Sequence, residues 1–314
     1  MYAVPLLLVN GIGVAGIAPE ATIVSLKVCT AEGYCFADSV AAALRYAGDI
    51  GLDIVNLSLF VDPYLYYCKN DNEQRDILKE LEDAIKYAQQ KGVLVVAAAG
   101  NQMADLQHPG VDEISPDWPP DTAETRDIKN NCRVAPAEMA GVVTVSSVGP
   151  IGYPGFTNII ADYSSVGMSR VDVTAPGGDY FRGAGLRQDA ILAAVPPPDV
   201  AEITSFFDFL EGISPIYKGL TVKDKDGNWY AYLNGTSMAS PHAVGVAALI
   251  KQMHPNWGPD AIKAALQRSA EQLQCPANWE PLNEADERDK CYGRNGRTSF
   301  FGHGLVNALA AASI

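Results

Sequence analysis

Apolar and polar positions along the chain follow two different periods in turn. Residues 37–47 and 71–90 have apolar side chains at helical spacing, whereas short runs rich in β-branched residues stand between and after them. The predicted strands are residues 21–28, 53–59, 91–101, 142–148, 171–174 and 191–195. Strands that alternate with helices are typical of an α/β fold. We therefore expect three layers, with a mostly parallel twisted sheet covered by helices on both faces.

Two long segments interrupt this alternation but do not divide the chain. Residues 102–131 are acidic and contain prolines, and residues 196–230 separate the strand predicted at residues 191–195 from the motif at residues 234–250. Both are predicted as surface insertions in a single domain of residues 1–314, in which residues 1–9 are an atypical start. Within the second segment, Asp224, Asp226 and Asn228 alternate as calcium ligands do, but no glutamate completes a calcium loop. A hairpin turn at Asp226 and Gly227 is the favoured interpretation.

Composition excludes some classes of partner. The 314 residues have a formal net charge of −14, and an acidic protein lacks the basic surface that nucleic acid or an anionic membrane requires. No apolar run reaches the length of about 18 residues that a membrane-spanning helix needs. Small molecules, peptides or proteins are the expected partners.

Six cysteines stand at positions 29, 35, 68, 132, 275 and 291. The first two and the last two flank short polar loops and could form local disulfides, which would leave Cys68 with Cys132. Fifteen pairings are open to six cysteines, however, and free buried thiols are the alternative. No C-x-x-C spacing indicates zinc. Disulfides would place the protein in an oxidising, extracellular setting.

One glycine-rich stretch has the letters of a nucleotide-binding motif without its context. The sequence GIGVAG at residues 11–16 fits G-x-G-x-x-G, which requires a following helix to receive a pyrophosphate. Pro19 and a β-rich run follow instead. We interpret the stretch as a loop and expect no nucleotide cofactor.

A serine with the local context of a nucleophile stands in NGTSMASPHAVGVAALI, residues 234–250. Gly235 and Thr236 can form a tight turn before Ser237, and the small residues beyond it predict a slim, buried helix. The N-terminus of such a helix offers N–H groups and a positive dipole end to a developing oxyanion. Spacing alone leaves two interpretations open, a catalytic nucleophile and a capping serine.

The complete string resembles the nucleophile motif of the subtilisin-like serine peptidases. Other segments resemble the family in the same order along nearly the whole chain. These are NGIGVAGIAPEATIVSLKV, DIVNLSL, VVAAAGN, ADYSSVG, DVTAPGG, HPNWGPDAIKAAL and FGHGLVNALAAA. The acidic loop after Asn101 and the cysteine-bearing insertions resemble secreted actinobacterial members, and the resemblance implies a secreted endopeptidase acting on proteins or peptides.

The resemblance implies a role for each matching position. Ser237 would be the nucleophile, and the side chain of Asn101 would stabilise the oxyanion together with the Ser237 N–H. Three residues match the strand edge that pairs with substrate backbone: Ser58, Leu59 and Phe60. Four match one wall of the pocket before the cut bond: Ala97, Ala98, Ala99 and Gly100. The family usually has a small residue where Phe60 stands, so the shape of the pocket there is open.

The catalytic Asp and His motifs of the family are absent. No D-[ST]-G segment precedes Ser237 at a suitable place, and no H-G-T-H segment exists; counting back in register puts that histidine a few residues before Met1. His242, His254 and His303 fall within other family segments, and His108 lies in the insertion after Asn101. No histidine of this chain is the expected base.

Three explanations remain for a nucleophile without its base. In the favoured one, Met1 is an internal position of a longer peptidase, so that this chain is a fragment with impaired or no activity. The others are a pseudoprotease that binds peptides without cutting them, and a structural or inhibitory partner. A missing central strand would expose apolar surface, and self-association is then expected. No cofactor is required, and the family's calcium loop, at Asn10, Ile12 and Val14, is not expected to be intact.

Overall fold

Helices and strands alternate through the computed structural model, which describes residues 13–149, 159–180, 189–196, 220–276, 290–294 and 296–314. The helices are α1 (Ala37–Asp49), α2 (Asn72–Gln90), α3 (Thr236–Met253), α4 (Pro259–Ser269) and α5 (Ala308–Ala311). The strands are β1 (Ile54–Leu57), β2 (Tyr66–Cys68), β3 (Leu94–Ala98), β4 (Val111–Asp112), β5 (Arg126–Asp127), β6 (Cys132–Val134), β7 (Val143–Val148), β8 (Val173–Pro176), β9 (Ile191–Ala194), β10 (Thr221–Lys223), β11 (Trp229–Leu233), β12 (Gly293–Arg294) and β13 (Arg297–Thr298).

A parallel sheet forms the centre of the fold, in the strand order β1-β3-β7-β8. Val55 is paired with Val95 and Ala97 with Thr144, so β3 has a neighbour on each side. All five residues of β3 and all six of β7 are buried. Strands that are buried on both faces have continuous apolar sequences, so β3 and β7 show no alternation of apolar and polar residues.

Helices cover this sheet on both faces. Side chains alternate along β3, so Val95 and Ala97 pack with α1 and α2, whereas Leu94 and Val96 pack with α3 and α4. Fully burying a side chain the size of Leu81, which has no exposed surface, contributes about 1.5–3 kcal/mol. The expected three-layer α/β arrangement with a parallel sheet is confirmed.

Helix α3 can lie inside the molecule because its side chains are small. Eleven of its 18 residues are buried, and Pro241 is accommodated near its start. At Gly245 an added Cβ would lie 2.8 Å from the Cβ of Ile17, so the helix approaches the chain there more closely than alanine allows. This packing fixes the N-terminus of α3 at the carboxyl end of β3.

Residues 21–28 do not form the strand that their composition predicts. No strand is assigned between residues 13 and 36, and Ile23 and Val24 are 46% and 44% exposed. β-Propensity reflects packing on a pleated surface and pairing with neighbours, and no described strand pairs with this segment. The prediction of a strand here, and of a βαβ unit built on it, is wrong. The prediction that no helix follows GIGVAG is confirmed for residues 13–36.

The strand predicted at residues 191–195 belongs to a different sheet. β9 pairs antiparallel with β11, which pairs antiparallel with β10. Its assignment to the parallel sheet is therefore wrong. Hairpin-connected antiparallel strands need no crossover helix, and a short apolar run does not reveal which kind of neighbour it has.

The turn between β10 and β11 is organised by one carboxylate. The Asp224 side chain accepts hydrogen bonds from the backbone N–H groups of Asp226 and Asn228, both at 2.9 Å, and from the Asn228 side chain. These bonds, that of the Asn228 side chain first, lower the pKa of Asp224 to about 2. The hairpin interpretation is confirmed. No group of three or more His, Cys, Asp or Glu that could hold a metal occurs among the described residues.

All six cysteines form disulfides, Cys29–Cys35, Cys68–Cys132 and Cys275–Cys291. The second joins directly paired positions of β2 and β6. None of the helices in the described ranges is both long and apolar enough to cross a bilayer.

Candidate active site

Ser237 lies in the first turn of α3. Gly235 precedes the helix with a φ of 154°, a conformation that favours glycine, and its carbonyl accepts hydrogen bonds from Met238 N at 2.9 Å and Ala239 N at 3.3 Å. Ser237 is half-buried, and its hydroxyl donates a long hydrogen bond of 3.5 Å to the Ser58 carbonyl. The hydroxyl is thus at a helix N-terminus, where the dipole favours negative charge.

The Asn101 carboxamide is fixed beside this turn at the carboxyl end of β3. Its Oδ1 accepts hydrogen bonds from the Thr236 backbone N–H at 2.9 Å and from the Thr236 hydroxyl at 2.8 Å. Because a backbone N–H can only donate, these bonds determine which end of the amide faces the helix. The NH₂ group has no hydrogen-bond acceptor among the described residues, and the side chain is exposed. The Asn101 side chain is thus bonded to Thr236, the residue before Ser237, and its NH₂ group is a donor without a described acceptor.

Polar side chains also connect the end of β1 to α3. The Ser58 hydroxyl donates to the Ser237 carbonyl at 2.8 Å and accepts from Asn56 Nδ2 at 2.9 Å. Ser240 Oγ in turn donates to Asn56 Oδ1 at 2.7 Å. This chain of three bonds holds Ser58, which directly follows β1, against the start of α3. We call Gly235–Ser237 the nucleophile turn.

The remaining predicted site residues divide into half-buried and buried groups. Leu59, Phe60 and Gly100 are half-buried, whereas Ala97 and Ala99 have no exposed surface and Ala98 is 7% exposed. Ala97 and Ala99 lie in two different apolar clusters of the core. Only the end of this stretch, at Gly100 and Asn101, therefore reaches the surface beside Ser237, and a pocket-lining role for the alanines stays a prediction.

None of the four histidines of the chain is hydrogen-bonded to Ser237. His242 Nδ1 lies 2.8 Å from the Met238 carbonyl, and burial lowers its pKa. His108 pairs with Asp105 at 2.8 Å, and His254 stacks on Trp257 and contacts the Ile314 carbonyl. Burial, followed by the charge of Arg297, lowers the pKa of His303. The roles of Ser237 as nucleophile and of Asn101 as oxyanion donor stay predictions.

Two carboxyl groups lie beyond the Ser58–Phe60 stretch. Asp62 is 5% exposed and accepts a hydrogen bond from the Cys35 backbone N–H, while the Asp117 N–H donates to the Pro63 carbonyl at 2.9 Å. Burial, and then a hydrogen bond with Asp62 and its charge, raise the pKa of Asp117 to about 8. Asp117 therefore holds its proton near neutral pH.

Sequence reasoning assigned no role to two residues that shape the site. Thr236 was noted only as a turn residue, yet its N–H and hydroxyl orient Asn101. Tyr163 belongs to the quoted ADYSSVG segment, and its hydroxyl contacts the backbone next to Gly235. The hydroxyl of Thr236, next to Ser237, was a sequence signal for a hydrogen bond to another site residue. The contacts of Tyr163 had no such signal, because they join segments that are distant in sequence.

Comparison with known proteins places this geometry in a family. The chain is 29% identical over 302 residues to M-protease of Shouchella clausii, an alignment that covers 96% of this chain and 51% of that protein. It is also 29% identical to subtilisin BL of Lederbergia lenta, over 96% of this chain and 72% of that protein. The chain thus spans about half the length of the first of these relatives.

Solved structures show the same fold. A lanthipeptide protease aligns with a TM-score of 0.63 at 24% identity, covering 95% of this chain and 72% of that protein. The model of the subtilase family matches residues 7–304. This match includes Asn101, Ser237 and the whole parallel sheet, and the chain belongs to the subtilase family of serine peptidases.

Proposed function

We propose that this chain is the nucleophile-bearing part of a serine endopeptidase that acts on protein or peptide substrates. The observation that carries the proposal is the pair of hydrogen bonds from Thr236 to Asn101 Oδ1. They turn Asn101 Oδ1 towards Thr236, and both Asn101 Nδ2 and the Ser237 N lie 3.6 Å from the position of a Cβ built on Gly235. Two donors and a nucleophile around one point are what acyl transfer requires.

The proposed reaction has two steps. Ser237 Oγ attacks the scissile carbonyl carbon, a base takes the hydroxyl proton, and the oxyanion is stabilised by Asn101 Nδ2 and the Ser237 N–H. The C–N bond then breaks, the amine leaves with the proton from the base, and water hydrolyses the acyl-enzyme. A comparable side-chain oxyanion donor contributes about 3 kcal/mol. The backbone of Ser58, Leu59 and Phe60 would pair with the substrate, and no cofactor enters this chemistry.

The base and its acidic partner are proposed to come from outside these 314 residues. His242, the histidine nearest to Ser237 in sequence, is bonded to the Met238 carbonyl on its own helix. By itself the chain would then have impaired or no hydrolytic activity. The same observation favours the second candidate function, a catalytically inactive homologue that binds peptides along Ser58–Phe60.

The surroundings of the protein are inferred from its disulfides and its exposed residues. Three disulfides support a secreted, extracellular protein, in keeping with the resemblance to secreted actinobacterial members. β1 is paired only with β3 in the described structure, and the exposed Ile23 and Val24 lie between residues 13 and 36, where no strand is assigned. Unpaired strand edges and exposed apolar side chains promote association. We propose that a second copy of the chain covers this surface.

Labelling with a serine-reactive fluorophosphonate tests the proposal. The chain is incubated with the probe with and without imidazole, which can act as an external base for Ser237. We expect slow labelling alone, faster labelling with imidazole, and none at this position in Ser237→Ala. Fast labelling without imidazole would overturn the proposed impairment. If imidazole produces no labelling of Ser237, the peptide-binding function replaces the peptidase.

A further inference from the structure

The Tyr163 hydroxyl lies beneath the nucleophile turn in a network of short hydrogen bonds. It is 2.6 Å from the Gly178 carbonyl, 3.0 Å from the Gly177 carbonyl and 2.8 Å from Ser147 Oγ. Ser147 is a fully buried residue of β7. The tyrosine therefore connects the central sheet to the glycine segment that follows β8.

This glycine segment contacts the residue before the catalytic helix directly. The Gly235 N–H donates to the Gly177 carbonyl at 3.0 Å. A Cβ added at Gly177 would lie 2.5 Å from the Gly235 carbonyl oxygen and 2.0 Å from Ser147 Oγ. There is no space for a side chain, so the position of the Gly177 backbone and that of Gly235 depend on each other.

The tyrosine remains a hydrogen-bond donor because it stays protonated. Burial raises the pKa of Tyr163 well above its usual range, although hydrogen bonds from Ser147 and from the Gly235 N–H act in the opposite direction. A neutral phenol has one proton to donate, and the Gly178 carbonyl is the nearest acceptor. The Ser147 hydroxyl can then donate to the phenol oxygen.

We propose that Tyr163 is a positioning residue for Ser237, an inference that rests on the proposed function. Thr236 is held on one side by Asn101, and Gly235 is held on the other by the Gly177 carbonyl, which also lies 3.0 Å from the Tyr163 hydroxyl. Fixing both residues before Ser237 fixes the direction of its hydroxyl and of its N–H. Loss of the Tyr163 hydroxyl would therefore reduce the rate of attack without changing probe binding.

Tyr163→Phe tests this role, with Tyr67→Phe as the matched control. Tyr67 is also buried and donates from its hydroxyl to a backbone carbonyl, that of Val61 at 3.0 Å, but it does not touch the nucleophile turn. In the presence of imidazole, we expect Tyr163→Phe to lower the maximal labelling rate about tenfold and to leave the half-saturating probe concentration unchanged, because misplacement affects the reacting atoms. Tyr67→Phe should leave both unchanged.

Hydrogen exchange separates failure of this proposal from failure of the proposed function. The Gly235 amide should exchange at least tenfold faster in Tyr163→Phe and at the original rate in Tyr67→Phe. If the unmodified chain shows no labelling of Ser237, the peptidase proposal fails, and exchange alone decides whether Tyr163 holds the turn. Unchanged exchange together with an unchanged maximal labelling rate would overturn the role of Tyr163, and so would equal effects of the two variants.

Discussion

The two edges of the catalytic region differ in how completely they are held. On the side of β7 and β8, Gly235 and Thr236 are bonded to Gly177 and Asn101. On the side of β1, no described strand lies beyond Ile54–Leu57, and residues 21–28 have strand-like composition without a strand partner. We call the first the closed side and the second the open side.

This difference indicates that the closed side holds Asn101, Gly235 and Thr236, and so positions the proposed nucleophile and oxyanion donor. Asn101 follows β3, which has a neighbour on each side, and Ser237 begins a helix packed across β3, β7 and β8. The donors therefore depend on the complete part of the sheet. Disturbing residues 21–28 or the free edge of β1 should change stability and association more than the geometry of Ser237, whereas Ser58 at the end of β1 is bonded to Ser237 directly.

The largest expected effect is a difference between two disulfides. Cys68–Cys132 spans 64 residues beside the closed side, whereas Cys29–Cys35 spans six at the open side. In the chain-entropy model, removing the first costs about 4 kcal/mol and removing the second about 2 kcal/mol, because the longer loop constrains the unfolded chain more. Urea unfolding of the two Cys→Ala double variants measures the difference.

The reduced wild-type protein is the control for these variants, since it loses all disulfides without any substitution. Labelling of Ser237 in the folded Cys29→Ala, Cys35→Ala variant should equal that of the wild type. Greater destabilisation by loss of Cys29–Cys35 than by loss of Cys68–Cys132 would contradict the expectation that the longer loop, beside the closed side, contributes more stability.

The oxyanion donor gives the next largest effect. Asn101→Ala removes the NH₂ group and also the acceptor of both Thr236 bonds, and we expect imidazole-supported labelling to fall about 10²–10³-fold. Asn131→Ala is the matched control, because this asparagine is exposed and its side-chain NH₂ donates to the exposed Asn70 at 2.6 Å. A loss below tenfold in Asn101→Ala, with folding intact, would remove Asn101 from the proposed mechanism.

The same two sides explain how far the sequence could predict the structure. β3 and β7 were predicted because continuous apolar runs are buried on both faces, while Asn101 follows β3 and Ser237 begins the slim helix that its small neighbours predict. The strand at residues 21–28 was wrong because propensity does not supply a partner. Tyr163 was missed because its contacts with Gly177 and Gly178 depend on packing between distant segments.

Self-association should respond to substitutions on the open side. Ile23→Lys combined with Val24→Lys places two charges on exposed apolar positions, and we expect association of the chain to weaken at least tenfold, on the order of 1.4 kcal/mol, because like charges would meet across the contact. Sedimentation velocity over a concentration series measures this. Labelling of Ser237 should stay unchanged.

Leu309→Lys is the control for the association experiment, since Leu309 is 81% exposed on α5 and belongs neither to β1 nor to residues 21–28. It should leave association as it is. A wild-type chain that remains monomeric at every concentration would contradict the proposed second copy, and equal effects of both variants would move the contact elsewhere.

The smallest expected effect is a pH dependence of stability that originates beyond Ser58–Phe60. The pKa of Asp117 is about 8 in the folded protein against an ordinary value of 3.8, mainly through burial and the hydrogen bond with Asp62. Asp112 adds negative charge, and the neighbouring Arg126 is paired with Asp112 at 3.3 Å. The folded state therefore binds a proton more tightly than the unfolded state.

The sign of the effect follows from this tighter binding. The stabilisation is complete below the unfolded pKa and is lost as the pH rises through about 8, because the folded protein must then release its proton. Solvent screening at the half-exposed Asp117 keeps the effect to a few degrees of melting temperature. Between pH 6 and pH 9 the wild type should lose more of its melting temperature than Asp117→Asn, which is neutral throughout and keeps the shape of the side chain. Glu113→Gln, an exposed neighbour, should follow the wild-type curve, and parallel curves for the wild type and Asp117→Asn would show that the proton on Asp117 does not contribute to stability.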